Sequence, residues 1–170
     1  MQNKGQTILL ALGGMVVVGG LGWILWQSSS TTWTPEIPPA QKTNREVAMA
    51  CTTDMATKFH IHPNLKIVIN GTPQTIPAEV GITAGCMHPI HTHDTAGTLH
   101  VESPEPRDFT LADFFAIWGK PFSKDQILSN KVDTHHIIRE TVNEKEVTDF
   151  ENTVLRDKDD IVISYEEKKK

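Results

Sequence analysis

The sequence lacks the short motifs that mark several large enzyme classes. It contains no G-x-S-x-G elbow, no P-loop, no G-x-G-x-x-G fingerprint and no C-x-x-C pair. It therefore does not match the α/β-hydrolases, P-loop nucleotide hydrolases, Rossmann dehydrogenases or thioredoxin-like oxidoreductases. It also lacks a basic surplus, with 16 Lys and Arg against 21 Asp and Glu and a net charge of −5. A nucleic-acid partner is not expected on that balance.

Charged residues are absent from Gly5 to Pro35, and the stretch from Thr7 to Gln27 is almost wholly apolar. About 21 such residues form about 31 Å of helix, enough to cross the hydrocarbon core of a membrane. Lys4 precedes the stretch and Glu36 is the first charge after it, so the N-terminus is predicted to be cytoplasmic. We therefore predict a single-pass protein of the cell membrane, with its anchor in residues 1–27.

A cleaved signal peptide is the alternative for this segment, since Ser28-Ser29-Ser30 offers small residues for cleavage. The apolar part of a signal peptide is usually only about 7–15 residues long, which favours the uncleaved anchor. Residues 28–44 are rich in Ser, Thr and Pro and are predicted to form an extended tether. Residues 45–170 are then enough for one extracytoplasmic domain, periplasmic or extracellular, with its own core.

Only two cysteines are present, Cys51 and Cys86, and both follow the predicted anchor. In an oxidising compartment an isolated pair most often forms a disulfide, which is our prediction. The bridge would close a loop of about 35 residues and stabilise the fold by restricting the unfolded chain. The alternative is a thiolate ligand at Cys86. Cys86 near His88 could also resemble a Cys–His nucleophile, which a disulfide would exclude.

The periodicity of the domain predicts an α+β fold with three helices and short β-hairpins. The first helix begins with a capping box at Thr43. A second helix begins at Thr110 and ends at Gly119, and a third is predicted from Ser123 to about Asn130. The buried face of the first helix is predicted at every fourth residue: Val47, Cys51, Met55 and Phe59.

Three regions of the domain predict strands. Leu65–Ile69 precedes Asn70-Gly71, the strongest short hairpin signal, and the returning strand is predicted through Thr75-Ile76. His135–Val142 and Ile161–Tyr165 are the two other β-rich runs. The C-terminal strands resemble the last strands of ubiquitin-like β-grasp domains, and this resemblance implies a β-grasp-like fold but no function.

The segment Cys86–Glu102 holds four of the eight histidines of the chain. Alternate residues of a strand share a face, so His91 and His93 would point the same way. The four residues after His93 predict a hairpin loop, which would place His93 opposite Thr98. One pair further, His91 would lie opposite His100, with Cβ atoms about 4.5–5.5 Å apart. His91, His93 and His100 are therefore predicted to converge as nitrogen ligands of one metal ion.

Other side chains could extend this site. His60 and His62 form a second alternate pair, and His88 lies in the same segment as the three predicted ligands. These histidines could add ligands and close the coordination shell. Glu102 and Asp94 are placed to orient a ligand imidazole or a bound water, as carboxylates behind metal ligands do.

A copper or zinc ion is the predicted cofactor, because neutral imidazole suits both metals. Binding or handling of that ion is the leading hypothesis, and a copper carrier would add soft sulfur donors from Cys86, Met87 and Met55. The alternative is an enzyme that keeps a position open for water, whose pKa zinc lowers to about 7, for hydrolysis or hydration. Its three-histidine pattern resembles the zinc arrangement of α-type carbonic anhydrases. A third hypothesis is a non-catalytic interaction module of a membrane complex, and a fourth is ordinary hydrogen-bonded histidines.

A set of motifs spans most of the domain: His60-x-His62-Pro63, Ile69-Asn70-Gly71, Ile76-Pro77-Ala78, Gly81-Ile82, Cys86, His91-Thr92-His93-Asp94, Gly97, His100-x-Glu102-Ser103, Phe109-Thr110, Phe114-Phe115 and Trp118-Gly119. This set resembles a family of membrane-anchored, extracytoplasmic, His-rich proteins. The resemblance implies the topology and the position of the site, without naming an activity.

Overall fold

The computed structural model describes residues 42–53 and 57–169. The predicted anchor, residues 1–27, and nearly all of the predicted tether lie outside these ranges. Within the two ranges, no helix is long and apolar enough to span a membrane. The described residues form a small α+β domain, as predicted, in which strands far outnumber helices.

The described residues contain two short α-helices, one single-turn 3₁₀ helix and thirteen strands. The helices are α1 Asn44–Ala48 and α2 Leu111–Trp118, and the 3₁₀ helix covers Phe150–Asn152. In chain order the strands are β1 Phe59–Ile61, β2 Asn64–Ile69, β3 Thr72–Gln74, β4 Ile82–Thr83, β5 Cys86–Met87, β6 Ile90–His91, β7 His100–Ser103, β8 Phe122–Ser123, β9 Gln126–Ile127, β10 Asn130–Lys131, β11 His136–Val142, β12 Lys145–Val147 and β13 Asp160–Glu167.

Five strands form the main sheet, in the order β12-β11-β13-β2-β3. The central pair, β13 and β2, is parallel, whereas the other neighbours are antiparallel. Ile163 of β13 lies opposite Ile67 of β2, and both side chains are fully buried. The predicted hairpin at Asn70 and Gly71 is confirmed, since their φ angles of 48° and 80° suit a two-residue loop. Its returning strand, β3, lies a few residues earlier than predicted.

Helix α2 has the start and end that the sequence predicts. The Thr110 amide donates a hydrogen bond of 2.9 Å to the Asp113 carboxylate, which closes the first turn. Gly119 ends the helix in the left-handed conformation, with φ of 68°. Phe114 and Phe115 are buried and belong to the same hydrophobic core as the main-sheet residues.

The prediction of a long first helix is wrong, because α1 ends at Ala48 and Phe59 already belongs to strand β1. The reason is a tertiary pairing that the periodicity does not reveal. The Thr52 amide donates to the Met87 carbonyl at 3.0 Å, and the Met87 amide donates back at 2.9 Å. This β-bridge pairs Thr52 with β5, so the chain at Thr52 is extended and does not continue the helix. Met55, also predicted on the helix, lies outside the described residues.

The predicted third helix from Ser123 to Asn130 is also wrong. This region instead forms a small antiparallel sheet of β8, β9 and β10. A helix of about eight residues is marginal without strong packing. Leu128 has φ of 51°, which is incompatible with a continuous helix, and its amide donates to the Pro121 carbonyl at 2.9 Å. Within the described residues, the predicted count of three helices is therefore reduced to two α-helices.

Glu140 is an ionisable residue in the middle of the main sheet. Its side chain is fully buried, and the contacts that Thr153 and Phe150 make with its carboxylate, which act to lower the pKa, fall short of full hydrogen bonds. Burial raises the pKa of Glu140 from 4.5 to about 7, and the carboxylates of Asp149 and Glu151 act in the same direction. The buried carboxyl group is therefore held protonated below neutral pH.

Replacement of Glu140 by glutamine is expected to remove a pH dependence of stability. Because the pKa of Glu140 is raised on folding, the folded protein binds more protons than the unfolded chain between pH 4.5 and about 7. Stability is therefore lost as pH rises through about 7. The whole pKa shift corresponds to a loss of at most about 3 kcal/mol, and we expect the measured loss to be about 2 kcal/mol. Glutamine resembles the protonated acid, so the Glu140→Gln variant should keep that stability at pH 8.5.

Urea unfolding at pH 5.5 and pH 8.5 measures this difference. The exposed residue Glu144, in the turn between β11 and β12, supplies the matched control Glu144→Gln, which should follow the wild type at both pH values. Parallel pH profiles for the wild type and Glu140→Gln would contradict the expected effect.

Candidate metal centre

Five of the candidate ligands lie on or beside a second sheet of three short strands, in the order β1-β7-β6. They are His60, His62, His91, His93 and His100. Strand β7 is central and pairs with both neighbours in antiparallel register. His91 of β6 lies opposite His100 of β7, which is the register that the alternation predicts. On the other side of β7, His60 of β1 lies opposite Glu102. This pairing brings His60, fully 40 residues before His100, to the same sheet.

The connection between β6 and β7 differs from the predicted four-residue loop. Thr98 pairs with Asn64 at the start of β2 and not with His93 as predicted. The Leu65 amide donates to the Gly97 carbonyl at 2.8 Å, so this connection is tied to the main sheet. Gly97 is required there, because a Cβ atom would lie 2.4 Å from the Leu65 carbonyl oxygen and φ is +88°.

His91, His93 and His100 nevertheless lie together, and we call them the inner group. Their candidate ligand atoms all lie within 4.8 Å of one another. The ring of His91 stacks on that of His100 with centroids 5.5 Å apart. The ring of His93 meets both edge-on, at 4.9 Å from His91 and 4.5 Å from His100. Nitrogen ligands about 2.0–2.1 Å from a tetrahedral zinc lie about 3.4 Å apart, so modest side-chain rotations would close the group around an ion.

His91 is fully buried and has one nitrogen without a hydrogen-bond partner. Its Nδ1 lies 3.0 Å from the His88 carbonyl oxygen. A carbonyl only accepts, so Nδ1 is assigned as the N–H donor and Nε2 carries the lone pair. This buried Nε2 has no hydrogen-bond partner among the described residues. Burial lowers the pKa of His91 to about 4, so the ring is neutral at ordinary pH, as a metal ligand must be.

Gly81 lets the chain pack against the strand that carries His91. A Cβ atom on Gly81 would lie 2.6 Å from the Ile90 carbonyl oxygen and 3.2 Å from the His91 Cβ. The φ of Gly81 is +78°, which also favours glycine. The Gly81 carbonyl accepts a hydrogen bond of 2.8 Å from the His88 amide. The sequence carried no signal for this role beyond the presence of the glycine.

His60, His62 and His100 form a second set, which we call the outer group. Their candidate ligand atoms also lie within 4.8 Å of one another. The His60 and His62 rings have centroids 4.3 Å apart, and the His60 Nε2 lies 3.4 Å from the His100 Nδ1. His60 and His62 are exposed, whereas His100 is partly buried. Burial, then the adjacent imidazoles of His93, His62 and His60, lower the pKa of His100.

The two carboxylates predicted to support the site have different partners. Glu102 Oε1 lies 3.1 Å from the His60 Nε2, and Glu102 Oε2 accepts a hydrogen bond from the Thr57 hydroxyl at 3.1 Å. Glu102 therefore orients the outer group. Asp94 accepts a hydrogen bond of 2.8 Å from the Ala96 amide, which shapes the loop after His93.

His88 belongs to neither group, although the sequence suggested it as an added ligand. Its Nδ1 lies 3.1 Å from the Ala48 carbonyl oxygen at the end of α1. The contribution of His88 to the site is its own carbonyl, which receives the His91 Nδ1–H. This role depends on the backbone and not on the side chain.

The predicted disulfide between Cys51 and Cys86 is present, with Cα atoms 5.4 Å apart. Both sulfurs are therefore unavailable as thiolate ligands, and Cys86 cannot act as a nucleophile with His88. The described cysteines add no donor to the histidine groups, so their donors are imidazole nitrogens.

The inner and outer groups could each hold a cation through imidazole nitrogens. No protein-family model, curated protein or solved structure matches this chain, so a function has to be inferred from the geometry of the histidines.

Proposed function

We propose that this domain binds one divalent transition-metal ion, copper or zinc, through His91, His93 and His100. The observation that carries the proposal is the buried Nε2 of His91, which has no hydrogen-bond partner among the described residues. A buried polar atom without a partner is costly, and such atoms are uncommon in folded proteins. A metal ion held with the two neighbouring imidazoles would satisfy this nitrogen.

The donor set favours a divalent ion. Three neutral imidazoles suit Zn(II), Cu(II), Ni(II) and Fe(II), whereas Cu(I) is selected by thiolate and thioether sulfur. The Cys51–Cys86 bridge removes both thiolates, so the support for a Cu(I) carrier is reduced. The His88 carbonyl fixes which nitrogen of His91 faces the group, as hydrogen-bonded partners of metal ligands commonly do.

Metal-assisted hydrolysis or hydration is a second candidate. The observation that favours it is the exposure of His93, which leaves one side of the inner group accessible to solvent. A catalytic zinc site needs three protein ligands and a position for water. Metal binding is common to both candidates, so it is the function to test first.

We also propose that the domain lies outside the cytoplasm, held by an anchor in residues 1–27. The support is the disulfide, because such bridges persist in oxidising compartments and are rare in the cytosol. A β-grasp-like fold is a related proposal. Its support is the sheet order β12-β11-β13-β2-β3, in which β13 lies between the hairpins β11–β12 and β2–β3 and is parallel to β2, with α2 between the two hairpins in the chain.

A metal titration of the full-length protein tests the proposed function. After treatment with a chelator, the protein is dialysed against Zn(II) or Cu(II) and analysed for bound metal. We expect one ion per chain, and we expect no bound ion in the variant with His91, His93 and His100 all replaced by alanine. His135→Ala removes an exposed histidine outside both groups and should bind like the wild type.

Wild-type protein without stoichiometric metal would contradict the proposal. That result would favour the interaction module of a membrane complex, which needs no ion.

A further inference from the structure

His100 belongs to both histidine groups, and this sharing restricts how metal can bind. A neutral imidazole has one nitrogen with a free lone pair, since the other carries the proton. A neutral His100 can therefore complete the inner group or the outer group, but not both at the same time. Two ions could bind together only if His100 lost its second proton and bridged them.

The two groups differ in what an ion must displace. The His60 Nε2 lies 3.1 Å from Glu102 Oε1 and 3.4 Å from the His100 Nδ1, so the outer group is already hydrogen-bonded within itself. An ion held there has to break these bonds. In the inner group, the buried Nε2 of His91 has no partner to give up. The inner position is therefore the more favourable one for an ion.

The two groups also differ in access. His60 and His62 are exposed, whereas His91 is fully buried. Two of the three outer histidines are exposed, against one of the three inner histidines, so a hydrated ion can exchange more of its water for imidazole at the outer group. His100 belongs to both groups, so an ion that moves from one group to the other stays beside its ring.

We propose that the outer and inner groups are two successive positions of one ion, captured by His60, His62 and His100 and then passed to His91, His93 and His100. This inference rests on the proposed metal-binding function. The transfer exchanges metal–nitrogen bonds only, and the oxidation state of the ion does not change. The outer group acts as the entry and exit route, and the inner group holds the ion at equilibrium.

The test uses full-length protein, Zn(II) and a chromophoric zinc chelator that reports uptake and release by stopped flow. In the variant His60→Ala/His62→Ala, we expect one ion per chain, as in the wild type. The rates of uptake and release should both fall by at least about 10-fold, because entry and exit use the same route. His135→Ala is the control and should leave both rates unchanged.

A complementary variant, His91→Ala/His93→Ala, leaves the outer group intact. We expect it to retain one ion with fast uptake and fast release, and with affinity at least about 10-fold below that of the wild type. Complete loss of binding in this variant would overturn the outer position.

Two further results would overturn the proposal. One is two ions per wild-type chain at saturation, which would indicate a bridging His100. The other is unchanged uptake and release in His60→Ala/His62→Ala, which would indicate direct entry past the exposed His93. A wild type that binds no ion contradicts the proposed function itself, so the two failures are distinguishable.

Discussion

Replacement of His91 by alanine is expected to lower the affinity for Zn(II) or Cu(II) by at least about 100-fold. Loss of a residue that only supports a metal ligand already costs about 10- to 100-fold, and removal of a ligand should cost at least as much. His91 is also the only inner-group histidine that is fully buried, so a water molecule from bulk solvent cannot replace it easily.

The same substitution should affect the metal-free and metal-bound proteins differently. Without metal, loss of the imidazole leaves a small cavity but also removes a buried nitrogen that has no partner, so the two effects partly cancel. With metal, the wild type gains stability from the bound ion and the variant does not. Thermal unfolding with and without added Zn(II), together with competition titration against a chelator, measures both effects.

His88→Ala is the matched control for His91→Ala. It removes a nearby imidazole whose Nδ1 contacts the Ala48 carbonyl, yet it keeps the His88 carbonyl that orients His91. We expect its metal affinity to stay within about threefold of the wild type, because the ligands are untouched. Equal losses in His88→Ala and His91→Ala would show that His91 is not a specific ligand.

Removal of the Cys51–Cys86 disulfide is expected to lower the free energy of unfolding by about 4 kcal/mol. The bridge joins residues separated by 35 positions, and in the chain-entropy model it restricts the unfolded chain accordingly. It also fixes strand β5 beside the site. Two residues after Cys86, the His88 carbonyl receives the His91 Nδ1–H, so loss of the bridge should loosen the orientation of His91.

The variant Cys51→Ala/Cys86→Ala therefore has two expected outcomes. Urea unfolding should give the loss of about 4 kcal/mol, and zinc competition should give affinity lower by about 10-fold. Wild-type protein reduced with a phosphine should match the variant in urea unfolding, whereas untreated wild type should not. Lower stability with unchanged zinc affinity would restrict the bridge to a purely structural role. Unchanged stability would contradict the first expectation.

The sequence predicted the part of the site that depends on local periodicity. His91 lies opposite His100 because alternate positions of paired strands share a face, and that rule needs no knowledge of the rest of the fold. The start of α2 at Thr110 and its end at Gly119 followed from capping chemistry in the same way. The cysteine pair followed from composition and compartment.

The features that the sequence did not predict depend on contacts between distant residues. Thr52 leaves the predicted helix because it pairs with Met87, and Thr98 leaves the predicted hairpin because it pairs with Asn64. The outer group depends on the pairing of His60 with Glu102, in strands that lie far apart in the chain. Local propensity gives no information on such pairings, so His60 and His62 could be proposed as ligands but not placed.

The parallel pairing of β2 with β13 has a consequence for the order in which the domain folds. Asn64 pairs with Asp160, a sequence separation of about 96 residues, and contacts of such high order form slowly. The β6–β7 connection is tied to β2 through Leu65 and Gly97. Strand β2 obtains its parallel neighbour only when β13, at the end of the described chain, has been made. The histidine groups should therefore be completed late, and a nascent chain that stops before Asp160 should hold its histidines only loosely.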